Sequence, residues 1–238
     1  MIILFTDFGK DDPYTGQVHA VLAQHAPTVP VIDLLHSAPD YDVRASAYLL
    51  AAYVSHMPVN SVVMAVVDPG VGGERLPIVL QTRQRWYVGP DNGLLAVIAK
   101  KEGVKRIAVL EVSDKVMPSF HGRDVFAPAA AVLARGGLPE MSNRAGLKVA
   151  GETWSDELAE VIYIDHYGNA ITGINAENQD INRVLHINGH KITYARVFLD
   201  VAPGAAFWYS NANNLLEIAV NQDSAAELLG LNIGSKIL

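Results

Sequence analysis

Residues 1–36, MIILFTDFGKDDPYTGQVHAVLAQHAPTVPVIDLLH, decide the fold. The run IILF is short, apolar and closed by the polar TDFG, as in a strand buried on both faces of a parallel sheet. YTGQVHAVLAQHAP (14–27) reads as a helix and VPVIDLLH (29–36) as the next strand. A strand, a helix and a second strand within so short a span predict a crossover unit with parallel pairing.

The same alternation continues outward. DVRASAYLLAAYVSHM (42–57) carries apolar residues at helical spacing behind Asp42, a good N-cap. SVVMAVVDPG (61–70) is a strand running into a Pro-Gly turn. LPIVLQT (76–82) and RWYVG (85–89) form a hairpin. GLLAVIAKKEG (93–103) is a short helix stopped by Gly103, and KRIAVLEV (105–112) is a further strand. GRDVFAPAAAVLA (122–134) is a helix closed by Arg135-Gly136-Gly137. Beyond it LPEMSNRAGLKVAGETWSDE (138–157) is polar and Gly-rich, and from Ala159 short alternating strands follow, ending in SKIL (235–238). Asn188-Gly189 between two of them signals a hairpin. The expected fold is an N-terminal Rossmann-like α/β sandwich with a mostly parallel sheet over 1–140. A linker follows over 141–158, then a small C-terminal all-β, barrel-like domain over 159–238.

Half of the 238 residues are hydrophobic and 18% are charged, enough to bury a core in one large or two small domains. The net charge of −7 argues against a nucleic-acid partner. Lys and Arg between 83 and 106 are scattered and read as a solvated surface. Without cysteine there is no disulfide or thiolate metal site. The N-terminus has no basic segment before its apolar run, so no signal peptide is expected. No stretch reaches the about 18 apolar residues of a membrane span. These features predict a cytoplasmic, soluble chain with no membrane partner.

Ligands of open α/β sheets sit at the carboxyl ends of strands. Here those ends carry TDFGKDDPYTG (6–16), VVDPGVGGER (66–75) and PSFHGRD (118–124). Each has a plain alternative: Asp7 as a helix cap, Asp68 as the start of a turn, His121 as a satisfied polar residue. Together they suit an active site at a helix start, where free N–H groups hold anions or polar substrates. Asp68, Arg75 and His121 are the types needed to hold and deprotonate a water, His121 taking the proton near neutral pH. G-x-S-x-G and G-x-x-x-x-G-K-[ST] motifs are absent. The DFG at 7–9 has no preceding H-R-D-type catalytic loop, so it is not a kinase signal. A hard-cation site from Asp7, Asp11, Asp12, His36 and His121 is the metal alternative. The Asp pattern is a poor match to nucleoside hydrolases, because the motif's first Asp falls on Phe5.

Seven collinear blocks carry a resemblance: TDFG (6–9), HSAPDYDV (36–43), VVDPGVGGER (66–75), GPDNGLL (89–95), FHGRDVFAPAAA (120–131), DHYGNAIT (165–172) and LLEIAVN (215–221). With them the sequence resembles the S-adenosyl-L-methionine hydroxide adenosyltransferase family, relatives of fluorinases and chlorinases, over nearly its whole length. The resemblance implies a homotrimer that displaces L-methionine from the ribose 5′ carbon of S-adenosylmethionine, with water as nucleophile and no metal or organic cofactor. It implies Asp68, Arg75 and His121 as the water-activating triad, with Gly122 beside it. Asp7 would take the ribose diol, Asn169 the adenine edge, and Tyr41 and Phe198 the nucleoside faces. Asp165 and the loop from Ser210 to Asn213 would meet the methionine amino acid group. The chain departs from the family at Tyr167, where Phe is commoner, at YSNANN (209–214), and at Val132, where some relatives carry His. A non-catalytic adenosine or S-adenosylmethionine binder on the same scaffold is the alternative.

Overall fold

In the computed structural model, which describes residues 1–237, β1 (Ile2–Thr6) and β3 (Val62–Val66) are buried at every position. That is the pattern of central strands covered on both faces. The elements between them are α1 (Pro13–His25), β2 (Val31–Leu35) and α2 (Val43–Tyr53). Asp42 caps α2 as expected, its Oδ1 accepting the Ala45 N–H at 2.9 Å. The chain continues through β4 (Pro77–Thr82), β5 (Trp86–Pro90), α3 (Ala96–Glu102), β6 (Val104–Leu110), α4 (Ala127–Ala134) and the two-residue β7 (Met141–Ser142).

These strands form one seven-stranded sheet in the order β2-β1-β3-β5-β4-β6-β7. β1 pairs parallel with β2 and β3, and β3 with β5. β4 pairs antiparallel with β5 and β6, and β6 with β7. The sheet is therefore mixed rather than mostly parallel. The cause lies in the hairpin itself: a three-residue connection between Thr82 and Trp86 can join only antiparallel strands. α1 and α4 pack on one face, where Leu4, Val18, Leu22, Met64, Val88, Phe126 and Ala130 share a core.

The helix expected over 122–134 has two parts. Residues Gly122–Phe126 make a π turn, closed by the Ala127 N–H donating to the Gly122 carbonyl, and α4 follows. Pro128 lacks an N–H, and its ring would crowd the Asp124 carbonyl in a regular α turn. The wider turn relieves that clash. Arg85, expected at a solvated surface, is buried at 3% exposure against Glu102 and Tyr87.

Two compact units result: residues 1–51 with 57–154, and residues 52–56 with those from Ser155 onward. The stretch read as a linker is tied to the first unit up to Trp154. β7 pairs with β6, Ala150 donates its N–H to Asp91 Oδ1 at 2.8 Å, and the Trp154 ring covers Gly93 at φ +108°.

In the second unit β8 (Leu158–Ile164), β9 (Ala170–Asn175), β10 (Leu185–Ile187), β11 (His190–Tyr194), β12 (Ala206–Ser210) and β13 (Leu215–Val220) form a six-stranded sheet in the order β10-β11-β12-β13-β9-β8. All its pairs are antiparallel except β11 with β12. Asn188 and Gly189 join β10 to β11 with φ of 47° and 85°, the positive values a tight hairpin turn requires. Of the expected final strand only Lys236 pairs, in a single bridge to Glu160, and Leu238 lies outside the described residues. A short helix not expected from the sequence, α5 (Ala225–Leu229), is capped by Ser224. Among the described residues no helix is long and apolar enough to cross a membrane.

Candidate active site

The carboxyl ends of β1 and β3, with the loop before the π turn, enclose a cavity of about 500 Å³ in the first unit. Asp7, Tyr41, Asp68, His121 and Gly122 all line it, so the structure gathers five expected residues from four stretches of chain. Asp12, expected only as a possible metal ligand, lines it too, and so does Asp40, which was missed. Phe8, Tyr14 and Phe120 form an aromatic cluster on its wall, with ring centroids 5.4–6.2 Å apart. A Cβ on Gly122 would lie 2.7 Å from the Phe8 ring, so only glycine lets that ring lie against the start of the turn.

Arg75 stands behind this wall, with its side chain only 9% exposed. Its Nε donates to Asp68 Oδ1 and Oδ2 at 3.1 and 2.9 Å, and its Nη2 donates to Oδ2 at 2.5 Å. The same Nη2 lies 2.9 Å from His121 Nδ1. A guanidinium has no acceptor, so Nδ1 must offer its lone pair, and the neutral ring carries its proton on Nε2. Burial and then the Arg75 charge hold His121 below its ordinary pKa. The expectation that His121 takes a proton therefore changes: in this arrangement the imidazole is a neutral hydrogen-bond donor. Asn92 Nδ2 donates at 2.9 Å to the carbonyl of Val67, the residue before Asp68.

Burial pushes the Asp7 carboxyl up to about 6, with Asp40 and Asp68 adding repulsion against its own and the Tyr41 backbone hydrogen bonds. Tyr41 is 78% exposed and sits at φ 60°, a strained value for a residue with a Cβ. Arg123, in the stretch expected to hold an anion, turns instead to Asp124 and Gln17. The metal alternative does not assemble: Asp7 and Asp12 line the cavity with His121, but His121 is taken by Arg75. His36 turns to Thr6 and Asp33, and Asp11 is exposed.

The second unit has its own cavity, of about 770 Å³, lined by Asp165, Asn169 and Phe198 among the expected residues. Asp165 organises its loop: Oδ1 accepts the N–H groups of Tyr167 and Asn169, both at 2.9 Å, and Oδ2 accepts Asn169 Nδ2 at 3.0 Å. Phe198 packs edge-on against Phe207 and Tyr209. Ser210 is exposed and not part of the wall, whereas Asn211, Ala212 and Asn213 are. Strand alternation explains this, since Tyr209 already faces the cavity. Sequence reading missed Glu217, which is 4% exposed and accepts from Tyr209 Oη at 2.6 Å and Asn211 Nδ2 at 2.9 Å. Burial raises its pKa. The signal was present: a lone carboxylate inside the apolar run LLEIAV.

Residues 2–143 match the family described as SAM hydroxide adenosyltransferase N-terminal domain, and residues 159–238 its C-terminal domain. The chain is 38% identical to an (R)-S-adenosyl-L-methionine hydrolase of Thermus thermophilus, over 99% of this chain and 98% of that one. It is 31% identical to a protein of the same name from Methanocaldococcus jannaschii, over 98% and 92%, and 23% identical to a fluorinase of Nocardia brasiliensis, over 100% and 95%. A crystal structure of a conserved Thermotoga maritima protein superposes over all of both chains with a TM-score of 0.88 at 30% identity.

Proposed function

Because the chain belongs to the SAM hydroxide adenosyltransferase family, we propose that it hydrolyses S-adenosylmethionine, the R sulfonium epimer, to adenosine and L-methionine. The observation that carries this reading is the linked Asp68, Arg75 and His121 on a wall that also holds Asp7, Asp12 and Asp40. Asp7, Asp12 and Asp40, beyond the Asp68 that Arg75 offsets, attract a cationic sulfonium to the cavity and repel an anionic nucleophile. A neutral water meets no such barrier.

In this mechanism His121 Nε2–H donates to a water oxygen and Asp68 accepts one of its hydrogens, which aims a lone pair at the 5′ carbon. The O–C5′ bond forms as the C5′–S bond breaks. The bonding pair stays on sulfur, which leaves as a neutral thioether and needs no general acid. The water proton passes to Asp68 and then to solvent. Arg75 fixes both partners and keeps the imidazole neutral, so the gain is one of orientation and prearranged charge. Asp7 takes the ribose diol with its two acceptor oxygens.

We further propose that the chain works as a homotrimer, in which the cavity carrying Asn169, Phe198 and Asp165 on one protomer closes over the Asp68 cavity of the next. Supporting this are the two large aromatic side chains Tyr41 and Tyr167, 78% and 75% exposed, one on each cavity wall. The test is to incubate the protein with each sulfonium epimer, with and without fluoride or chloride, and separate the products by chromatography. Adenosine and methionine, without 5′-halo nucleoside, are expected. Bound but unconverted substrate would instead make the chain a binding protein.

A further inference from the structure

The proposed reaction makes no use of the polar cluster where α1 passes the edge strand β2. His19 Nε2 lies 2.8 Å from Asp33 Oδ1, and His36 Nε2 lies 3.0 Å from the same oxygen. Among the described residues these three form the single group of His, Cys, Asp or Glu whose ligand atoms lie close enough for one ion, all within 4.8 Å of one another. His36 is buried, and its other ring nitrogen lies 2.7 Å from Thr6 Oγ1, which also accepts the Phe8 N–H. Its ring is thus held from both sides, as metal-bound imidazoles are by a partner on the second nitrogen. The side chains of His19 and Asp33 are 37% and 47% exposed, so an ion can enter and water can complete its coordination.

We infer that His19, Asp33 and His36 form a binding site for a divalent transition-metal ion of the zinc type. Two imidazoles and one carboxylate suit borderline ions, whereas magnesium and calcium favour all-oxygen sets. Ligand atoms about 2.0–2.1 Å from a tetrahedral zinc lie about 3.3 Å apart. The two His–Asp spacings of 2.8 and 3.0 Å need to open by only a few tenths of an ångström, and the two imidazoles lie within 4.8 Å of each other. Each neutral imidazole would present its Nε2 lone pair and carry its proton on Nδ1, and for His36 that proton then points at Thr6 Oγ1. The ion would tie α1 to the end of β2. The His36 carbonyl there accepts the Gly9 N–H at 2.7 Å, and Thr6 immediately precedes Asp7. The role is bracing rather than chemistry.

Calorimetric titration of the chelator-treated full chain with Zn²⁺ tests this. One ion per chain is expected, bound at least about tenfold more weakly by His19→Ala and Asp33→Asn but unchanged in the exposed control His190→Ala. Zn²⁺ should raise the thermal midpoint of the parent chain and not that of either site variant, and Co²⁺ should give a visible absorption spectrum that both variants lose. Asp33→Asn keeps the local shape and serves if His19→Ala fails to fold. No Zn²⁺ binding by the parent chain, or equal affinity in the site variants, overturns the inference.

Discussion

The two cavities are built on different principles. In the α/β unit the polar groups hold one another: Arg75 grips Asp68 and His121, and three further carboxylates, Asp7, Asp12 and Asp40, line a cavity that, among the described residues, no Lys or Arg lines. In the C-terminal unit backbone N–H groups organise the polar side chains, as at Asp165, and aromatic rings supply the area. A wall of coupled charges can bias a reaction by where it places them. A wall of loops and rings selects a shape. The contrast predicts that damage to the first is read in turnover and damage to the second in affinity.

The largest expected effect breaks the first wall. Asp68→Ala, Arg75→Ala and His121→Ala should each lower kcat by about 10²–10⁴-fold, with KM changing far less. Double variants should be little worse than single ones, because the three act on one water. Steady-state kinetics decide it, and a His121→Ala protein that kept most of its kcat would remove His121 from the mechanism. Next, Phe198→Ala should raise KM about 10- to 100-fold, the weight of one base stacked on an aromatic ring, with kcat nearly kept. If kcat fell instead, the division between the two walls would be wrong.

Joining the two kinds of damage sharpens the comparison. Asp68→Ala and Asn169→Ala chains should each be nearly inactive. Co-expressed, they would share rings in which about one junction in four joins an intact α/β wall to an intact C-terminal wall. Activity should return to about a quarter of the parent's. Proven mixed rings without recovery would mean that a single chain builds each site.

The smallest effect is on stability. Asp7 titrates near 6 in the folded chain against an ordinary 3.8, so the native state holds this proton more tightly than the unfolded one. The cost of its carboxylate is therefore absent at low pH, grows between those two values and is complete above the higher one. Asp7→Asn should stabilise the fold by on the order of 1 kcal/mol at alkaline pH, after allowing for residual solvent contact, and by nothing at low pH. Thermal midpoints at the two pH values measure this. The same variant should bind substrate more weakly.

Much of this was legible from local pattern. The apolar IILF and VVMAV runs, the cap at Asp42 and the Asn188-Gly189 turn all speak through neighbours in sequence, and so does the hairpin that makes the first sheet mixed. What escaped depends on distant partners or on departures from regular period. Arg85 is buried because Glu102, 17 residues away, receives it. His19 meets Asp33 across 14 residues. Ser224 with Glu227 is a capping signal, but five residues of α5 are too few to show a period. The π turn hides because the apolar spacing of 122–134 reads through it as an unbroken helix.

That turn also works as a phase device. A helix is a screw that advances about 100° per residue. A π turn adds one residue to the screw and so sets everything before it out of phase with everything after it. α4 can therefore keep its apolar stripe against β3 while His121, at the head of the turn, points where its own chemistry requires. Removing one residue between 122 and 126 would leave a plausible helix with an intact core and swing the imidazole about 100° out of register with Arg75.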